Sequence, residues 1–313
     1  MTSRLSCLLL VLFGGTAMAA PEPLEAYSWL VGVWTAHGST PEKGEFTEEF
    51  AYEWTMNRKF MKTTYVMRAG ETIVWTDVGM VGVDPQSGHL IGFNFGMDGT
   101  IGWARTTEEE SVESYIMEGS VVGPSPIKDF RVRMKRIGED GMEFTIEAKE
   151  GEAYVQQSTQ TYRRKGTAEM APCPEPDASD TPAALTGLEP LVGGWRGSAS
   201  GDRGGSIETT FEWRLNRTFL RRAQVATDAA GATRETVTWI GWDPQRKSVV
   251  AFSFEADGSV SLATATVTDG PQVVEEAEGG AARTSYRLDG EGRLALSIEK
   301  GKDGAFAASL ERK

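Results

Sequence analysis

VGMVGVDPQSGHLIGFNFGMDG, Val78 to Gly99, is answered later in the chain by VTWIGWDPQRKSVVAFSFEADG, Val237 to Gly258. The offset is 159 residues, and nine of the 22 positions are identical. Agreement at that level over one fixed offset marks a tandem duplication, so the fold must be read as two copies of one module. Within each copy the stretch carries two turn signals. Asp84-Pro85 and Asp243-Pro244 open one turn, because Asp favours turn initiation and Pro presets φ. Asp98-Gly99 and Asp257-Gly258 form the strongest hairpin signals in the sequence. Between the turns, Phe93 and Phe95, and Phe252 and Phe254, alternate on one face of a strand.

Working outward, the same periodicity persists. Phe46, Glu48, Phe50, Tyr52 and Trp54 share one parity, and Ile207, Thr209, Phe211 and Trp213 repeat it. Asn57-Arg58 and Asn216-Arg217 read as tight turns into the strands that begin at Phe60 and Phe219. Each module opens on a Leu-Val-Gly-x-Trp lead-in, Leu30–Trp34 and Leu191–Trp195. Roughly eight to ten strand candidates per module, joined by short turns, predict an all-β fold of two antiparallel up-and-down barrels. A β-sandwich is the alternative, and the succession of hairpin signals favours the barrel. Gly166 to Pro182 carries Pro172, Pro174, Pro176 and Pro182 without periodicity and reads as a semi-extended linker. The expected organisation is a signal peptide at 1–19, a first module at 24–165, a linker at 166–186 and a second module at 187–313.

The signal-peptide reading rests on Arg4, the short apolar run Leu5–Phe13 and the small-x-small site Ala17-Met18-Ala19. It implies export to the periplasm or the medium. No later run of about 18 apolar residues follows, so no membrane-spanning helix is expected. The formal charge of −13 repels phosphate backbones and argues against nucleic acid as a partner. Cys173, in the linker, is the one cysteine after the leader. It cannot close an intramolecular disulfide, although it could join two copies of the chain. The oligomeric state is left open.

Candidate chemistry is sparse. The two histidines, His37 and His89, lie far apart, so no metal site is expected. Nucleophile triads, phosphate loops and dinucleotide fingerprints are absent, and no cofactor or catalytic residue is assigned. Glu53 and Glu212 recur in both copies and read as exposed strand carboxylates paired with a nearby Lys or Arg. The aromatics carry the sharper expectation. Trp34, Trp54, Phe93 and Phe95, with Trp103, are placed in the interior of the first barrel. Trp195, Trp213, Trp242, Phe252 and Phe254 are placed in that of the second. Such a lining suits a small apolar molecule held in a barrel mouth. The competing readings are a hydrolase or isomerase built on carboxylates inside one barrel, and a structural or adaptor protein with both barrels filled.

Three motifs in the same order, present twice, resemble lipocalin-like (calycin) β-barrel domains of unknown function. They are LVGVW (Leu30–Trp34), EWTMNRKFM (Glu53–Met61) and VGVDP (Val81–Pro85), repeated as LVGGW, EWRLNRTFL and IGWDP. The resemblance implies a barrel and supplies no catalytic residues. GGWRG (Gly193–Gly197) is also similar to the opening of nitrobindin-like barrels, which hold haem on a late histidine. Ser198 and Ser248 align with the two histidines of the first copy, and the late strands have none, so histidine-ligated haem is not expected here.

Overall fold

The computed structural model describes residues 22–40, 44–166, 181–201, 205–268, 272–277, 282–289, 291–299 and 306–313. The leader at 1–19, Cys173 and three of the linker prolines fall outside these residues. The first copy forms β1 (Gly32–Thr40), β2 (Gly44–Thr55), β3 (Phe60–Ala69), β4 (Thr72–Val83) and β5 (Leu90–Gly96). It continues through β6 (Ile101–Ser111), β7 (Ser114–Val122), β8 (Asp129–Ile137), β9 (Gly141–Glu150) and β10 (Ala153–Arg164). The second forms β11 (Gly193–Gly201), β12 (Gly205–Arg214), β13 (Phe219–Asp228), β14 (Thr233–Asp243) and β15 (Ser248–Glu255). Its remaining strands are β16 (Val260–Thr268), β17 (Gln272–Ala277), β18 (Arg283–Leu288), β19 (Leu294–Glu299) and β20 (Phe306–Arg312). Each set of ten pairs antiparallel with its sequence neighbours and closes first strand to last. Closure leaves no exposed sheet edge.

The turns behave as their residues require. Asp84 Oδ1 accepts from the Gln86 amide at 3.0 Å, and Asp243 Oδ1 from the Gln245 amide at 2.8 Å. Asp98 and Asp257 do the same for Thr100 and Ser259. The Asn57 and Asn216 turns are tighter than expected. Met56, Asn57 and Arg58 all take positive φ, as do Leu215, Asn216 and Arg217. A run of three left-handed residues is costly for L-amino acids, yet both copies keep it, with Met56 and Leu215 buried as anchors.

One end of each barrel is stoppered. In the first, a 3₁₀ segment, Pro23–Leu30, lays Leu24, Tyr27, Trp29 and Leu30 across the opening. Trp34 beneath it is fully buried and donates its indole N–H to the Leu30 carbonyl at 2.7 Å. Arg164 covers the Trp34 ring at 4.1 Å and donates to the Trp29 and Val31 carbonyls. In the second, the segment Ala183–Leu191 buries Leu185, Leu188 and Leu191. Trp195 bonds the Leu191 carbonyl at 2.8 Å and Arg312 lies over its ring.

The two barrels share one apolar cluster. Met56, Phe60, Val78, Met80, Phe95, Ile101 and Val122 of the first meet Leu215, Phe219, Val237, Trp239, Val250, Phe252 and Phe254 of the second. The ring contacts come in symmetry-related pairs. Phe60 meets Phe254 at 5.5 Å and Phe95 meets Phe219 at 5.4 Å. Phe93 meets Phe254 at 5.4 Å and Phe95 meets Phe252 at 5.7 Å. Adding 159 to one partner and subtracting it from the other converts each pair into its mate. Phe93 and Phe252, at 5.8 Å, map onto themselves and lie on the local two-fold axis. The same face of each copy is therefore used against the other, the geometry of a two-fold dimer written into one chain.

Candidate functional site

Strand register separates the two faces of each sheet. Trp54 pairs with Met61, Met61 with Val81, and Val81 with Gly92, so these positions share the inner face. On β5 that inner face is Gly92, Asn94 and Gly96, small or polar, and Phe93 and Phe95 point outward. This corrects the placement expected for Phe93, Phe95, Phe252 and Phe254: they cement barrel to barrel and do not line either bore. Trp103 pairs with Phe93 and is likewise outside, 37% exposed. An apolar parity marks a covered face, and here the cover is the other barrel. Trp34 and Trp195 do point inward but belong to the stoppers. Trp54 is inward and half-buried, with Arg58 over its ring at 4.6 Å. Trp213 bonds Glu189, and Trp242 packs into the core of the second barrel. Glu53 and Glu212 face outward and pair with Lys62 and Arg221.

The polar chemistry lies deeper in the first bore. Glu48, on β2 among aromatics of the same parity, is 4% exposed. Its Oε2 accepts the Tyr162 hydroxyl at 2.5 Å, and the Tyr65 phenol lies beside the same carboxylate. Asp77, on β4, is the cross-strand partner of Tyr65 and accepts the Trp75 indole N–H at 3.0 Å. Burial pushes the Asp77 carboxyl up to about 7; the Trp75 bond acts against this, and Asp98 nearby adds to it. Burial and the Glu48 carboxylate hold the Tyr65 and Tyr162 phenols well above their ordinary range. Tyr52 is 3% exposed, and burial holds its phenol well above the ordinary range. Around these groups stands a ring cluster. Phe50 contacts Tyr52 at 4.6 Å, Tyr65 at 5.9 Å, Phe144 at 6.1 Å and Tyr162 at 6.3 Å. At the end opposite the stopper, His37, Gly38, Ser39, Glu45, Phe46, Thr47 and Gly70 surround an open hollow of about 490 Å³.

The second bore is built differently. Arg222 and Glu275, each 4% exposed, form an ion pair at 2.7 Å. Arg222 also donates to Thr238 Oγ1 at 2.7 Å and lies over the Tyr286 ring at 4.7 Å. Thr209, Gln224, Thr236 and Ser253 complete a buried polar interior. Among the described residues no cluster of three or more His, Cys, Asp or Glu could hold a metal. No described helix is long and apolar enough to cross a membrane.

Asp77 yields a direct prediction. A carboxyl whose folded pKa is about 7, against an ordinary value of 3.8, binds its proton more tightly in the folded state. Its contribution to stability is complete below pH 4 and is lost as pH rises toward 7. We expect Asp77→Asn to flatten that stretch of the stability profile, by roughly 2–4 kcal/mol between pH 4 and 8. Urea unfolding of wild type and variant across this range checks it.

No family model matches the chain, and no curated protein does. Among solved structures, Rv2717c from M. tuberculosis is 20% identical with a TM-score of 0.38, covering 47% of this chain and 98% of that one. A protein of unknown function from the DUF3598 family of Nostoc punctiforme is 13% identical with a TM-score of 0.25, covering 94% and 100%. A putative AttH from Nitrosomonas europaea is 10% identical with a TM-score of 0.13, covering 96% and 98%.

Proposed function

We propose that this is an exported binding protein that holds a small, largely apolar molecule in the bore of its first barrel. One comparison within the chain carries the reading. Phe50, Tyr65, Val81 and Asn94 of the first bore are each partly open to solvent. Their equivalents 159 residues on, Thr209, Gln224, Ile240 and Ser253, are all buried. The first bore thus retains accessible aromatic surface, the usual lining of a small-molecule site, while the second is occupied by its own side chains. Duplication allows this division: one copy keeps the site and the other supplies a rigid partner surface.

Titrating the purified protein with the neutral dye 1-N-phenylnaphthylamine tests the reading. Saturable quenching of tryptophan emission with one site per chain is expected, because Trp54 and Trp75 face this bore. Val132→Trp, which adds a ring from the inner face of β8, is expected to weaken binding at least tenfold with an unchanged far-ultraviolet spectrum. A flat titration, or binding indifferent to Val132→Trp, contradicts the reading.

A second reading has its own observation. A carboxyl held near 7 beside aromatic walls is suited to general acid–base work. Turnover abolished by Asp77→Asn with binding intact would place the protein among enzymes.

A further inference from the structure

We infer that the molecule held in the first bore is an organic cation, its positive end seated between Glu48 and Asp77 against the tyrosine and phenylalanine rings. This rests on the binding role proposed for that bore. The argument starts from the copy that needs no ligand. In the second barrel the inward carboxylate Glu275 meets a cation supplied by the chain, Arg222, whose guanidinium also covers the Tyr286 ring. The position 159 residues earlier is Thr63, on the inner face of β3 beside Tyr65. The first bore therefore has two carboxylates and an aromatic wall but lacks the internal cation of its twin.

The groups facing Asp77 from every side bear this out. They are Tyr52 from β2, Tyr65 from β3, Trp75 from β4, Asp98 from the turn after β5, and Tyr162 from β10, with Glu48 of β2 beside Tyr65 and Tyr162. Each is an acid or an aromatic. The inward-facing cations among the described residues of the first barrel, Arg136 and Arg164, sit at the stopper. There Arg136 bonds Glu113, and Arg164 bonds the Trp29 and Val31 carbonyls. Tyr52, 3% exposed, adds a further buried ring to this wall. Aromatic faces and carboxylates in a partly dry cage are the recognition chemistry of alkylammonium groups. The donors these acids have, the Tyr162 hydroxyl on Glu48 and the Trp75 indole on Asp77, are neutral, so a cation gains an attraction that a neutral molecule does not, and anions would be repelled.

The test uses a fixed-charge probe, so that only the protein titrates. Benzyltrimethylammonium and its neutral isostere neopentylbenzene are compared on the full-length protein at pH 8 and pH 6. The cation is expected to bind at least tenfold more tightly than the isostere at pH 8. That preference should shrink about tenfold at pH 6, as Asp77 takes up its proton. Asp77→Asn should remove the pH dependence. Thr63→Arg, which supplies the twin's internal cation, should abolish cation binding. Should Asp77→Asn fail to fold, the wild-type pH profile and Thr63→Arg still decide. If neopentylbenzene binds as tightly as the cation at pH 8, or Thr63→Arg leaves cation binding intact, the inference is wrong and the binding role survives. If neither probe binds and the neutral dye is also refused, both fall together.

Discussion

Arg222→Met is expected to destabilise the chain by about 3–5 kcal/mol, because it strands Glu275 as an uncompensated buried charge. Both partners are 4% exposed and 2.7 Å apart, so water cannot replace the lost cation without opening the barrel. Arg222 also satisfies Thr238 Oγ1 and covers Tyr286, and Met restores neither contact. The double variant Arg222→Met with Glu275→Leu should recover most of the loss, since an apolar pair of similar volume removes the desolvation cost of both ions. Chemical denaturation of the two variants checks this. A single variant within 1 kcal/mol of wild type would mean that the pair is open to solvent.

Phe95→Ala is expected to cost about 3–5 kcal/mol as well, by a different route. The ring is fully buried between barrels, stacked on Trp239 at 5.0 Å with 12° between planes, and edge-on to Phe219 and Phe252. Removing it leaves a cavity at the centre of the interface, where neither rigid barrel can collapse to fill it. Trp239 emission should shift to the red as the interface loosens. Phe254→Ala, the symmetry mate, should lose somewhat less, because Met80 stands where Trp239 does in the other half. Thermal unfolding with tryptophan fluorescence measures both. A Phe95→Ala loss no larger than that of an exposed strand substitution would contradict the interface.

Much of the fold was legible. The Asp-Pro and Asp-Gly turns, the strand alternation and the duplication are local signals, and together they imply two closed antiparallel barrels. The assignment of faces was not. Phe93 and Phe95 read as interior because sequence alternation identifies a covered face without naming the cover. The signal that would have found the polar site was Glu48, a carboxylate on the same parity as Phe46, Phe50, Tyr52 and Trp54. An acid on an aromatic face is either a site or a paired charge. The choice needed Tyr65 and Tyr162, which lie 17 and 114 residues away and meet Glu48 only once the barrel closes. Asp77 was hidden for the same reason. The difference between the two bores needed Thr63 and Arg222 to be compared in place, as the two positions sit in motifs that otherwise look alike.

The binding claim is tested most directly by methyl nuclear magnetic resonance of the full-length protein carrying labelled methionine, titrated with 1-N-phenylnaphthylamine. Met117 faces the first bore opposite Gly92, whereas Met56 and Met80 lie in the cluster between the barrels. The account predicts that the Met117 resonance moves with saturable, one-site behaviour while Met56 and Met80 hold still. Movement confined to Met56 and Met80, or no movement at all, would contradict it.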